Sequence, residues 1–306
     1  MSTSGGTKAI VAALVANLGI AVSKFVAFGV TGSTSMASEG VHSLADSGNQ
    51  LLLLVGGRRA QRAADEEHPF GYGRARYVYA FIVSIVLFSL GGLFAIYEGS
   101  HKIAHPEPLN QPQWALGVLI FAIVLESFSL RTAVREASHD RGTLSWAEYV
   151  RHAKAPELPV VLLEDTGALL GLVVALLGVT LAVVTGNGRW DGIGSLTIGL
   201  LLVAIAIFLA LEMNSLLIGE SGTRADVAAI RSALEAGDDI VRIIHLKTLH
   251  LGPEELLVAA KIAVAHDDTA AAVARAIDAA EVRVRAAVPI ARVIYLEPDI
   301  DRGPDT

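Results

Sequence analysis

Long apolar runs separated by short polar turns fill the first two thirds of the chain. Six have the roughly 17–25 residues with which a helix crosses hydrocarbon about 30 Å thick. They are Ala9–Val30, Met36–Gly56, Tyr77–Ile96, Trp114–Leu130, Pro159–Val184 and Ile193–Ile218. Only Gly32-Ser33 separates the first two, which makes them an antiparallel hairpin. The pattern predicts a six-helix transmembrane bundle over residues 1–218. The first run is longer than a signal-peptide core and leads directly into another, so it reads as a span and not as a cleaved leader.

After Gly219 the pattern changes to that of a small α+β domain, residues 219–306. Thr223–Ala236 predicts an amphipathic helix with Asp226 in its first turn and Gly237 as its stop. Ile240–Leu251 and Glu255–Val264 predict two strands about Gly252-Pro253. Asp267-Asp268-Thr269 caps a helix reaching about Arg285, and Ala291–Glu297 is a last strand closed by Pro298. The order αββαβ is that of an open-faced, ferredoxin-like sandwich with both helices on one sheet face.

Charge orients the spans. Arg58, Arg59, Arg62, Arg74 and Arg76 fall between the second and third, and Arg131, Arg135, Arg141, Arg151 and Lys154 between the fourth and fifth. The opposite loops hold only Lys102 and Arg189. The positive-inside bias puts the arginine-rich loops in the cytoplasm, and six crossings return both termini there. The expected membrane is the cell (plasma) membrane. The chain has 306 residues, 53% hydrophobic and 18% charged, with a net charge of −7 that suggests no nucleic-acid partner. It has no cysteine, so a bound metal must use imidazole, carboxylate, amide, backbone or water. No nucleophile–base pair, phosphate loop or metalloprotease motif points to an enzyme.

The polar residues inside the spans carry the chemistry. An ionisable group in hydrocarbon costs several kcal/mol, so it usually lines an ion pathway or pairs with another. His42 and Asp46 are one turn apart and share a face of the second span, the spacing at which one helix offers two ligands to one ion. Asp165 on the fifth span is the candidate third ligand. Glu164 points about 100° away from it and takes a weaker, supporting role. Asn49, a turn beyond Asp46, offers an amide oxygen or orients a carboxylate. Such a set suits zinc better than calcium or magnesium, and it also admits manganese, ferrous iron or cobalt. Binding requires neutral imidazole and ionised carboxylate, so metal and protons compete, with His42 the natural proton carrier. The competing reading is interhelical polar glue. Lys24 and Glu126, also within spans, fit either an ion pair or a part in transport. Gly167, Gly171 and Gly178 on the fifth span would ease the rocking of packed helices.

Three motifs, Thr31-Gly32-Ser33, His42-Ser43-Leu44-Ala45-Asp46 and His68-Pro69-Phe70-Gly71-Tyr72-Gly73-Arg74, make the chain resemble the cation diffusion facilitator family of divalent-metal transporters. The resemblance covers nearly the whole chain. It implies a homodimer in the lipid bilayer that exports zinc or a similar cation from the cytoplasm in exchange for protons, by alternating access. It also implies a transport site joining the second and fifth spans at His42, Asp46 and Asp165. This chain departs from the usual pattern in three places. Val161 stands where zinc members carry a His, and Leu163-Glu164-Asp165-Thr166 resembles a divergent branch. Asp65 and His68 remain of a loop site whose last ligand is here Tyr72, leaving a weak site. In the carboxy-terminal domain His245 and His250 remain, while Tyr295 and Glu297 replace a His and an Asp; this predicts an unliganded docking domain. His101, His105, His139 and His152 read as solvated loop residues. A non-transporting membrane metal sensor is the alternative of another class.

Overall fold

The computed structural model describes residues 3–32, 34–106 and 111–300, so Ser33 of the first motif lies outside the described residues. The chain divides into two compact units. One comprises residues up to Arg59 together with Ala75–Asn214; the other comprises Ala60–Arg74 together with the residues from Ser215 onward.

The first unit is helical. Its elements are α1 (Thr3–Thr31), α2 (Thr34–Ala60), α3 (Ala75–Val86), a π-helical turn (Leu87–Leu93), α4 (Phe94–Ala104), α5 (Pro112–Arg141), a short α6 (Trp146–His152), α7 (Glu157–Thr185) and α8 (Arg189–Ile218). The segments α3, π-turn and α4 form one rod. Among the described residues, five helices are long and apolar enough to cross a membrane: Gly6–Thr31, Ala75–Ala104, Pro112–Arg141, Glu157–Thr185 and Arg189–Ile218. The expected second span, α2, has 27 residues. Its Glu39, His42, Asp46, Asn49 and Gln50 make it more polar than the other five. Hydrocarbon supplies no partner for backbone groups, which is why these segments are helices.

Packing follows residue size. On α1 the small Ala9, Ala13, Ala16 and Ala27 are buried at helical spacing, while Val15, Val22 and Val26 point outward. Small residues on the inner face let helices approach closely. The third-span rod meets α8 through glycines. A methyl at Gly99 would run into the Leu196 backbone nitrogen, and one at Gly199 would sit 2.6 Å from that of Ile96. The glycines of α7 pack likewise: a Cβ on Gly178 would lie 3.0 Å from the Trp190 carbonyl oxygen.

Two features exceed the sequence expectation. α5 continues past Leu130 to Arg141, because Arg131–Arg141 holds no helix breaker before Gly142. A capping box, with Ser145 and Glu148 bonding each other's backbone N–H, starts α6. His139 and His152 therefore lie in helix ends, as does His101, whose ring stands 4.9 Å from that of His105. Half-buried charges at the helix ends are paired. Arg76 Nε lies 2.5 Å from Glu157, and Lys102 Nζ lies 2.9 Å from both Glu98 and Asp191.

The second unit contains α9 (Arg224–Glu235), β1 (Arg242–Gly252), β2 (Glu255–Val264), α10 (Ala270–Ala287) and β3 (Val293–Ile300). The sheet order is β1-β2-β3, antiparallel then parallel. Thr223 caps α9 in a capping box with Asp226, and Thr269 caps α10. Ile230 and Leu234 of α9, Val284 of α10, and Leu256, Val258 and Ile262 of β2 form one buried core. Pro298 does not end the last strand; it pairs with Ile262 inside β3. An edge strand tolerates proline because the missing N–H falls on the unpaired side.

Candidate metal centre

The helical spacing of His42 and Asp46 brings their side chains together on α2. His42 Nε2 lies 3.8 Å from Asp46 Oδ2, and both side chains are about a quarter exposed. The other ring nitrogen, Nδ1, lies 3.1 Å from the backbone oxygen of Leu90 in the π-turn.

The neighbouring acids of α7 diverge, as their 100° offset requires. Glu164 turns to α2, where Asn49 Nδ2 donates to Oε1 at 2.9 Å and Gln50 Nε2 donates to Oε2 at 3.0 Å. Asp165 turns to α5, where the Ser129 hydroxyl donates to its Oδ2 at 2.6 Å. Buried Glu126, also on α5, reaches the same Asp165 carboxyl group. Among the described residues no three His, Asp or Glu side chains stand close enough to hold one ion together. The structure joins His42 with Asp46, while Asp165 bonds Ser129 of α5.

Around this core the polar groups are largely satisfied. Lys24 of α1 is buried against α2, with Nζ 3.1 Å from Ser43 Oγ and 3.4 Å from Glu39 Oε2. Asn49 Oδ1 and Gln50 Oε1 are buried with no hydrogen-bond partner among the described residues.

The loop candidates hold one another, and the carboxy-terminal ones lie in the sheet. Tyr72 donates its hydroxyl to Asp65 Oδ2 at 2.7 Å, and His68 donates its backbone N–H to Oδ1 at 2.7 Å. The His68 and Tyr72 rings lie 4.3 Å apart, and the Arg62 guanidinium covers the Tyr72 ring at 4.6 Å. The Tyr72 hydroxyl, then the His68 amide, holds the Asp65 carboxyl below its usual range, and that same bond pushes the Tyr72 phenol up. In the sheet, His245 is exposed and pairs in register with Lys261. Lys261 in turn lies 3.2 Å from Glu297 and 2.9 Å from Asp299. A lysine cation already neutralises the acids of that row. His250 is buried, with Nδ1 3.1 Å from the Gly252 oxygen.

Three participants escaped sequence reasoning. Ser129 and Gln50 are common residues with no motif around them. The π-turn left one trace, the Gly91-Gly92 doublet inside a span.

Residues 10–218 match the model of the cation efflux transmembrane domain. The proton-coupled zinc antiporter SLC30A9, mitochondrial, of Xenopus laevis is 35% identical over 266 residues, covering 86% of this chain and 47% of that relative. Its Homo sapiens counterpart is 36% identical over 232 residues, 75% of this chain and 41% of the relative. Metal tolerance protein C4 of Arabidopsis thaliana is 28% identical over 257 residues, 83% of this chain and 56% of the relative. The chain thus spans about half the length of the curated relatives it matches. With the family model covering most of the chain and both groups of relatives running across it, this protein belongs to the cation diffusion facilitator (cation efflux) family.

Proposed function

We propose that this membrane protein moves divalent metal ions, zinc foremost, out of the cytoplasm in exchange for protons. The observation that carries this reading is the His42–Asp46 pair, an imidazole nitrogen and a carboxylate oxygen 3.8 Å apart within the helical bundle. Family membership and the zinc-antiporter relatives support it. Asp165 is the third ligand, arriving from α7 when that helix and α2 close on the ion. Glu164 and Asn49 brace the two helices beside it. The Ser129 bond that engages Asp165 supports a site that opens and closes, since a permanently closed cage would trap its cargo.

Coupling follows from ligand chemistry. An ion displaces protons from imidazole and carboxylate, and protons arriving from the far side displace the ion. The arginine-rich loops support placing both termini in the cytoplasm of a cell-membrane protein; the mitochondrial label belongs to the relatives that carry it. Two copies work as a homodimer, with the carboxy-terminal domain as docking module. The Asp65–Tyr72 bond supports a loop that is held without a metal ion.

The test is flux into proteoliposomes under an imposed pH gradient, with zinc, manganese, cobalt and ferrous iron offered in turn. Zinc uptake with matching proton movement is expected, and Asp46→Ala and Asp165→Ala each abolish it. A wild type that moves no ion, or variants that move it equally well, would sink the reading. A preference for manganese, iron or cobalt would reassign the cargo on the same architecture.

A further inference from the structure

We infer that the π-turn of the third span is a positioning device for the metal site: it frees the Leu90 carbonyl to hold His42 by Nδ1, so that Nε2 faces the ion beside Asp46. The inference rests on the proposed transport site and deepens it.

The backbone accounting carries the argument. In an α-helix the Phe94 N–H would bond the carbonyl four residues back, Leu90. Here it bonds those of Ser89 and Gly91 instead, because Leu87–Leu93 is wound as a π-helix. The Leu90 oxygen bypassed in this way lies 3.1 Å from His42 Nδ1. A carbonyl oxygen only accepts, so this contact is a hydrogen bond only when Nδ1 carries the proton. In the neutral ring the lone pair is then on Nε2, the atom 3.8 Å from Asp46 Oδ2.

Two acceptors facing one another form an arrangement that a cation completes. Ligands about 2.0–2.2 Å from a tetrahedral ion stand roughly 3.4 Å from each other, so the pair needs to close by only a few tenths of an ångström. Metal-bound histidines nearly always donate their second nitrogen to an acceptor that fixes tautomer and ring orientation. Isolated π-turns within α-helices recur at functional sites. The glycine after Leu90 matters too. A Cβ on Gly91 would already lie 3.6 Å from His42 Cε1, so a larger side chain there would push the ring away.

The first test is direct. In the full-length protein in nanodiscs, the ¹⁵N spectrum of the neutral His42 ring is expected to place the proton on Nδ1; a ring protonated on Nε2 overturns the proposal. The second test uses zinc titration. Deleting Ser89 removes the extra residue of the turn and lets the rod rewind as an α-helix, while Gly91→Val keeps the length and displaces the ring. Each is expected to weaken zinc binding by about 10- to 100-fold, the usual cost of losing such an outer partner. Each is expected to add little in a His42→Ala background, where nothing is left to orient.

An equal further loss in that background means the turn acts only on the fold, and overturns the proposal. If the Ser89 deletion does not fold, Gly91→Val decides alone by the same cycle. If His42→Ala itself leaves zinc binding intact, the transport-site reading fails and this inference falls with it. If His42→Ala abolishes binding while both turn variants bind like the wild type, only the inference fails.

Discussion

Ser129 donates its hydroxyl to Asp165 across 2.6 Å, so the carboxylate of α7 is held by α5 while His42 and Asp46 pair on α2. If Asp165 turns from α5 toward an ion at His42 and Asp46, it gives up this bond. Hydrogen bonds to charged groups contribute about 1.5–3 kcal/mol. Ser129→Ala removes the competing partner, and zinc affinity should rise by roughly tenfold or more. Calorimetric titration checks this; an unchanged or lower affinity would show that Ser129 does not oppose loading.

Glu164 receives one amide donor on each oxygen, from Asn49 and Gln50. This clamp ties α7 to α2 in a region where an unsatisfied carboxylate is costly. Gln50→Leu strips one donor and should lower stability by about 1–3 kcal/mol, read from denaturant unfolding in detergent. Glu164→Gln should weaken zinc binding less than Asp165→Asn does. The reverse ranking would move Glu164 into the coordination sphere.

Glycines set the distance between the third-span rod and α8. A methyl at Gly99 would meet the Leu196 backbone nitrogen and, 2.8 Å away, the Gly192 carbonyl oxygen, while one at Gly57 would meet nothing within 4 Å among the described residues. Backbone cannot swing aside as a flexible side chain can. Gly99→Ala should therefore cost about 1–3 kcal/mol, as overpacking does, with Gly57→Ala close to neutral. Thermal unfolding of the two variants side by side tests the contrast.

The loop bond between Asp65 and Tyr72 has a definite pH window. Asp65 is held below its ordinary value of 3.8, so what it adds to stability is present above that value and fades as acid reaches its lower folded value. Tyr72 is raised above its ordinary 10.0, so its share is present below that value and fades as alkali reaches the raised one. The bond persists across neutrality. Tyr72→Phe should return the Asp65 midpoint upward toward 3.8, followed by carboxyl ¹³C titration. A midpoint that does not move removes the tyrosine as its cause.

Most of the long elements are legible in the residues alone. Apolar run length marks a membrane helix because hydrocarbon demands internal backbone bonding, and five of the expected spans have both length and composition. The strand Glu255–Val264 is legible because Gly252-Pro253 before it and Asp267-Asp268 after it bracket an apolar run. The pairing of His42 with Asp46 follows from helical spacing alone, which is local and needs no fold. What α7 does with its acids was decided only in three dimensions. Ser129 and Gln50 lie 36 and 114 residues from the groups they bond, and nothing in their own neighbourhoods marks them. The Leu90 carbonyl is farther still from sequence logic. Every residue has such an oxygen, and only the winding of its helix decides whether it is spent inside the backbone or offered to a neighbouring imidazole.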